Sequence, residues 1–219
     1  MINKYQAVIF DLDGTLLDTL DDLADAMNHV LQEFAYPTRE KTAIRRFLGN
    51  GIARLTELAL PATVSAEQYD EIFARFKSYY TAHCQVKTKA YKGIEELLAG
   101  LKAKGYKLAI VSNKNAAAVE ALNKLYFKKY VDVAIGEKPT IRKKPAPDTV
   151  LQALKELACS KEKAIYVGDS EVDKATADNV GMDCILVTWG FRDKQELEAL
   201  KPKYLVNKPA EIFSVLGVE

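Results

Sequence analysis

Cysteine is scarce in this chain of 219 residues: Cys84, Cys159 and Cys184 are the only three. They are far apart and set in apolar helix or strand patterns. That excludes a disulfide framework and a zinc-knuckle spacing, and it reads as buried, reduced thiols. Histidine is scarcer still. His29 and His83 are distant in sequence, and each falls in a helical pattern. Both therefore read as packing or surface residues, not as a base or a metal ligand. The chain has no run of about eighteen apolar residues, so no membrane span is expected. The apolar run near the N-terminus is cut off by Asp11, so no secretory leader is expected and the expected location is cytoplasmic. Neither sign of charge dominates: 31 Lys and Arg against 30 Asp and Glu leave a net +1. Without a basic excess or a long Lys/Arg run, nucleic acid is not an expected partner. Internal repeats and low-complexity segments are also missing. What is present is ordinary for a soluble folded protein, 48% hydrophobic and 28% charged, long enough for one good core or two smaller ones.

The most informative stretch is Ala7-Val8-Ile9-Phe10 followed by Asp11-Leu12-Asp13-Gly14-Thr15. Tyr5–Phe10 is too short for a helix and too apolar for a surface, so it reads as a buried strand. Its last residues place two carboxylates at the carboxyl edge of a sheet, where open α/β folds keep their ligands. Carboxylates packed together resist ionisation unless something positive sits between them, and a hard divalent cation suits. Gly14 lets the backbone turn under the site. An ordinary strand followed by an Asp-Gly turn is the bland alternative.

Three further segments carry chemistry. Lys107–Val111 is a second buried strand, ending in Ser112 and Asn113. Lys144 precedes Pro145 and is thereby held in extended backbone. Ala164–Val167 is a third strand, and Gly168-Asp169-Ser170-Glu171-Val172-Asp173 follows it with another pair of acids. Strands are also expected at Val131–Ile135, Cys184–Thr188 and Tyr204–Val206. Helices fall between them, one of them stopped by Gly105, one begun at Pro147 and one ended by Gly181. The alternation predicts a parallel sheet covered on both faces, a Rossmann-like α/β core. Residues 16–86 break it. They show helical stripes, including Leu20, Leu23, Met27, Val30, Leu31 and Phe34, and a second after a Ser65/Gln68 capping box. No strand is expected there. The predicted organisation is a core of residues 1–15 and 87–219 with a helical cap inserted at 16–86.

In this order the four motifs, from Asp11 to Asp173, resemble those of the haloacid dehalogenase superfamily of aspartate-nucleophile phosphotransferases. The match spans nearly the whole chain. Within the superfamily the chain is similar to phosphoglycolate phosphatase and its relatives, through DLDGTLLDT (11–19), Leu48–Gly51, Gly100–Lys114 and Val167–Gly181. The resemblance implies that Asp11 is the nucleophile and Asp13 the general acid and base. It implies that Thr15 holds Asp13 and helps bind phosphate, that Ser112 and Asn113 bind the phosphoryl group, and that Lys144 neutralises charge between Asp11 and phosphate. Mg²⁺ would be held by Asp11, Asp169 and the Asp13 backbone carbonyl, with Asp173 orienting a metal-bound water or Lys144. A carboxylate nucleophile facing a phosphate needs such a cation on charge grounds alone. A helix N-cap is the bland alternative for Asp169.

The expected activity is hydrolysis of a small phosphate monoester, 2-phosphoglycolate foremost. A pyrophosphatase and a β-phosphoglucomutase-like mutase are the alternatives within the superfamily; Thr15 favours hydrolysis over the mutase. A non-hydrolytic phosphate-binding protein is the alternative from outside the enzyme class. The partner is a small phosphorylated metabolite, and the chain is expected to be a monomer or homodimer. In the cap, Asn50 and Arg54 are the candidates for substrate selection, with Arg45 and Arg46 behind them. An arginine can pair with a substrate carboxylate, and a solvated helix face is the alternative for each.

Overall fold

The computed structural model describes residues 4–218. The chain divides into two compact units: one joins the segment ending at Leu17 to everything from Ala90 onward, and the other is Asp18–Lys89. In chain order the described elements are β1 (Ala7–Phe10), β2 (Leu17–Asp18), α1 (Leu20–Glu33), α2 (Lys41–Phe47), α3 (Ile52–Ala59), α4 (Ala66–His83), β3 (Lys89–Ala90), α5 (Ile94–Ala103), β4 (Lys107–Asn115), α6 (Ala116–Leu122), β5 (Val133–Glu137), α7 (Asp148–Glu156), β6 (Ala164–Gly168), α8 (Glu171–Val180), β7 (Asp183–Val187), α9 (Lys194–Ala199), β8 (Tyr204–Val206) and α10 (Glu211–Leu216). No helix among the described residues is long and apolar enough to cross a membrane.

The first unit is built on a six-stranded sheet in the order β5-β4-β1-β6-β7-β8. Every neighbouring pair is parallel. Parallel strands need crossovers, and the helices that make them cover both faces, which is why the strands are apolar along their whole length. Along β1 the side chains alternate. Val8 and Phe10 join α5, α6 and α10 through Leu98, Val119 and Ile212. Ala7 and Ile9 join α7 and α8 through Val150, Leu154 and Ala177. Phe10 and Ile9 are fully buried, and each such side chain contributes about 1.5–3 kcal/mol. The strand order reverses at β1: the chain adds β4 and β5 on one side, and β6, β7 and β8 on the other. The crevice outside the carboxyl ends of β1, β4 and β6 is therefore the topological switch point, where such sheets bind ligands.

Two readings of local structure need correction. β4 does not end before Ser112 but runs on to Asn115, with an irregular register against β5 between Val111 and Asn115. Residues 16–86 also contain strand: Leu17–Asp18 pairs with Lys89–Ala90 in a two-residue ribbon. Strands this short carry no apolar period to read. In the second unit, α1 packs on α4, with Met27, Val30, Ile72 and Phe76 fully buried. The Ser65 hydroxyl accepts from the Gln68 N–H, one half of the anticipated capping box. Asp22 is buried on α1 and accepts from the Lys87 and Thr88 N–H groups and the Thr88 hydroxyl, which ties the end of this unit to its first helix.

At the amino edge of the sheet, Asp183 accepts hydrogen bonds from Lys4, Tyr5 and Lys203 at 2.6, 2.5 and 2.9 Å. Burial alone would push this carboxyl up, but the three donors outweigh it and hold Asp183 well below the usual carboxylate range. A depressed folded value contributes stability that is present above the unfolded pKa, about 3.9, and is lost as pH falls through the folded value. Asp183→Asn is thus expected to cost about 1 kcal/mol near pH 7, the lysines being half exposed. The gap between wild type and variant should narrow below about pH 4. Urea unfolding at pH 7 and in the acid range measures it, and a constant gap would reject the assignment.

Candidate active site

The site is assembled at the carboxyl ends of β1, β4 and β6. The Asp11 N–H donates to the Val167 carbonyl, extending the β1–β6 ladder by one residue and fixing where the carboxylate starts. The chain then folds back. The Leu12 carbonyl accepts from the N–H groups of Leu16 and Leu17, and Gly14 takes φ +88°, left-handed backbone that suits glycine. Gly14 has a second reason to lack a side chain: a Cβ there would lie 2.4 Å from Asp169 Oδ2, and the same holds at Gly190 on the far side. The two glycines leave Asp169 the space it occupies.

Lys144 is the hub. Its ammonium donates to Asp11 Oδ1 at 2.7 Å, Asp173 Oδ1 at 2.8 Å and the Tyr166 hydroxyl at 3.0 Å, and the residue is 3% exposed. The peptide bond to Pro145 is cis. The Asn113 carboxamide brackets the Lys144 backbone, accepting from its N–H at 2.8 Å and donating to its carbonyl at 3.0 Å. The Asn113 side chain thereby clamps Lys144, with one N–H of its carboxamide in use. One correction concerns Thr15. Its hydroxyl donates to Asp169 Oδ1 at 3.3 Å, so it braces Asp169 and not Asp13. Ser112 is buried, and its Oγ accepts from the Lys114 N–H at 3.1 Å, which leaves the hydroxyl proton to donate elsewhere.

Just beyond β6, Asp169 is not a helix N-cap; Ser170 caps α8, in a reciprocal box with Asp173. The Asp173 carboxylate is saturated, receiving the Lys144 ammonium, the Tyr166 and Ser170 hydroxyls and the N–H groups of Asp169 and Ser170. Asp169 Oδ2 accepts from the Phe191 N–H at 2.7 Å. One oxygen each of Asp11, Asp169 and Asp173 lie within 4.8 Å of one another. Three buried carboxylates face one ammonium, and the electrostatics show the strain. Burial pushes the Asp11 carboxyl well up, against the pull of Lys144, and Asp173 and Asp169 add to the rise. Burial and Asp173 push Asp169 up to about 7. Burial opposes the charge on Lys144, but Asp11 and Asp173 more than offset it and hold the ammonium well above its usual range. A cluster with this excess of negative charge and oxygen donors is chemically suited to a hard divalent cation.

Asp13, two residues from Asp11, is more open, its side chain 19% exposed, and it pairs with Lys114. Asn50 and Arg54 belong to the helical unit. Asn50 is half-buried, and Arg54 is exposed in a 2.6 Å ion pair with Glu57. Arg45 is half-buried and Arg46 exposed, both in the last turn of α2. Lys114, Tyr166 and Arg192 are not marked in the sequence as site residues, and Trp189 reads there as packing. Trp189 donates its indole N–H to the Thr15 carbonyl, and Arg192 forms a bidentate pair with Glu171. The Gly190 between them sits after an apolar strand, and that spacing was the one signal available.

A switch-point site of acids around a buried lysine on a parallel α/β sheet defines a hydrolase of known type. The chain belongs to the haloacid dehalogenase-like hydrolase family, whose model matches residues 8–187. Among its relatives, a phosphoglycolate phosphatase of Aquifex aeolicus (strain VF5) is 32% identical over 96% of both chains. One from Neisseria meningitidis serogroup A is 31% identical over 98% of this chain and 95% of its own. A protein from Lactobacillus delbrueckii subsp. bulgaricus, whose crystal structure bears a provisional phosphoglycolate phosphatase name, superposes with a TM-score of 0.93. It shares 36% identity over 98% of this chain and 99% of that one.

Proposed function

We propose that this protein is a Mg²⁺-dependent phosphatase that hydrolyses a small phosphate monoester through an aspartyl-phosphate on Asp11, with 2-phosphoglycolate as the preferred substrate. The observation that carries the chemistry is Lys144 bridging Asp11 and Asp173, with Asp169 beside them, at the ends of adjacent strands. The observation that favours the substrate is the name shared by relatives matching nearly the full chain.

In this reading the Asp11 carboxylate attacks phosphorus in line with the leaving oxygen, and the bond to that oxygen breaks as Asp13 donates a proton to it. Water then attacks the phosphorus of the acyl-phosphate while Asp13 takes a proton back, which frees phosphate and restores both acids. Asp13 is the more open of the two, as exchange with water requires. Ser112 donates its hydroxyl to a phosphoryl oxygen, and Lys144 keeps Asp11 oriented and offsets the charge of the incoming phosphate. Asp11 and Asp169 would hold Mg²⁺ together with the Asp13 carbonyl, and the ion, when bound, supplies the positive charge that lets a phosphate approach a carboxylate. Asp173 has no spare lone-pair direction, so it serves by fixing Lys144. The helical unit, residues 18–89, is assigned the role of substrate-selecting cap, with Asn50 and Arg54 as partners for a carboxylate.

Turnover of 2-phosphoglycolate, pyrophosphate and sugar phosphates, β-glucose 1-phosphate included, tests the reading when measured with Mg²⁺ and with excess chelator. The expected result is activity only with metal and the highest kcat/KM for 2-phosphoglycolate. A hexose phosphate or pyrophosphate ahead by more than about tenfold, some 1.4 kcal/mol of transition-state preference, would reject the substrate. Formation of glucose 6-phosphate would make the protein a mutase.

A further inference from the structure

Two lysines are buried among the described residues, and the mechanism above uses only Lys144. The other is Lys114. Its ammonium lies 2.8 Å from Asp13 Oδ1, with the lysine side chain 5% exposed. Burying an ammonium to reach a carboxylate is a weak source of stability, because its desolvation offsets much of the attraction. The contact is also long-range: Lys114 reaches Asp13 across 101 residues of sequence.

The backbone around Lys114 is fixed on three sides. Its N–H donates to Ser112 Oγ at 3.1 Å. Its carbonyl lies against Gly136, where an added Cβ would come within 2.7 Å of it. The next residue, Asn115, caps α6 by accepting from the Ala117 N–H. The ammonium is thus presented from a rigid anchor, on the strand that also carries Ser112. Asp13 by contrast lies on a turn, with a short side chain free to change rotamer. A proton donor must stand within hydrogen-bond reach of the leaving oxygen.

We propose that Lys114 is a positioning residue for Asp13, holding its carboxyl group on the leaving-group side of the site. The inference rests on the acid–base role given to Asp13 above. If it holds, loss of Lys114 damages protonation of the leaving group and spares phosphoryl transfer to leaving groups that need no proton. A lysine that merely fills space would affect all substrates alike.

The test compares kcat/KM for phenyl phosphate, whose leaving group needs protonation, with that for 2,4-dinitrophenyl phosphate, whose leaving group does not, in saturating Mg²⁺. This ratio reports the steps up to cleavage of the ester bond. Lys114→Met is expected to lower the phenyl value by about 30-fold or more and the dinitrophenyl value by less than about 3-fold. Lys114→Arg, which restores a cation, should recover most of the loss, and Lys114→Met added to Asp13→Asn should change neither value further. If the methionine variant fails to fold, Lys114→Gln carries the comparison, with the same preference for loss on phenyl phosphate. Equal losses on the two substrates, or losses fully additive with Asp13→Asn, overturn the proposal while leaving the mechanism intact. An Asp13→Asn enzyme that loses equally on both substrates removes the acid–base reading itself, and the inference falls with it.

Discussion

Asp11→Asn is expected to lower turnover of any phosphate monoester by about 10⁴ or more, because an amide cannot serve as the nucleophile. The fold should persist. Burial opposes the charge on Asp11 against the pull of Lys144, and the neighbouring Asp173 and Asp169 add to the opposition. Replacing Asp11 with the isosteric amide removes a repelling charge and leaves Lys144 paired with Asp173 at 2.8 Å. The change in stability in chelator should therefore stay within about 2 kcal/mol, inside the ordinary range for one substitution. Activity and unfolding measured on the same preparation separate the two effects. Retained turnover in this variant, or undiminished wild-type turnover in excess EDTA, would sink the mechanism.

The parts of this molecule that are legible in the sequence are those whose signal is local. β1, β4 and β6 each show as an apolar run that stops abruptly at polar residues, because a strand buried on both faces has no other composition open to it. The helical stripes of α1 and α4 show for the same reason in a different period. The ends of elements are less legible. β4 continues through Ser112, Asn113 and Lys114, where composition alone suggests a loop. Those residues stay buried because they are paired with distant partners: Asn113 with the Lys144 backbone, and Lys114 with Asp13. Partnerships across 31 and 101 residues leave no period in a sequence. Thr15 illustrates the same limit. Adjacency in sequence to Asp13 suggests a partnership, yet its hydroxyl points at Asp169, 154 residues on. Types of residue at strand ends can be read locally; which one grips which depends on the register of strands that pair only after the chain has folded.

Lys144→Met is expected to damage both activity and stability, and the two losses should part company in a double variant. The lysine is 3% exposed and donates to two carboxylates and a tyrosine hydroxyl. Methionine matches its stem but leaves Asp11 and Asp173 buried without a counter-charge, beside Asp169. Breaking a buried pair from one side costs about 3–5 kcal/mol. For a chain of this size that lowers the unfolding midpoint by roughly 10 °C. Turnover should fall by about 10³ or more, since the positive charge facing the phosphate is lost. Adding Asp173→Asn removes one of the stranded charges. The double variant should regain about half of the lost stability, on the order of 2 kcal/mol, and none of the activity. Mg²⁺ should raise the midpoint of Lys144→Met more than that of wild type, because the cation then relieves carboxylates that no lysine neutralises. Calorimetry in Mg²⁺ and in chelator, with kcat/KM on the same samples, reads all three quantities. Should Lys144→Met prove as stable as wild type in chelator, the lysine contributes no net stability through its ion pairs. The lysine would then matter to the phosphate alone.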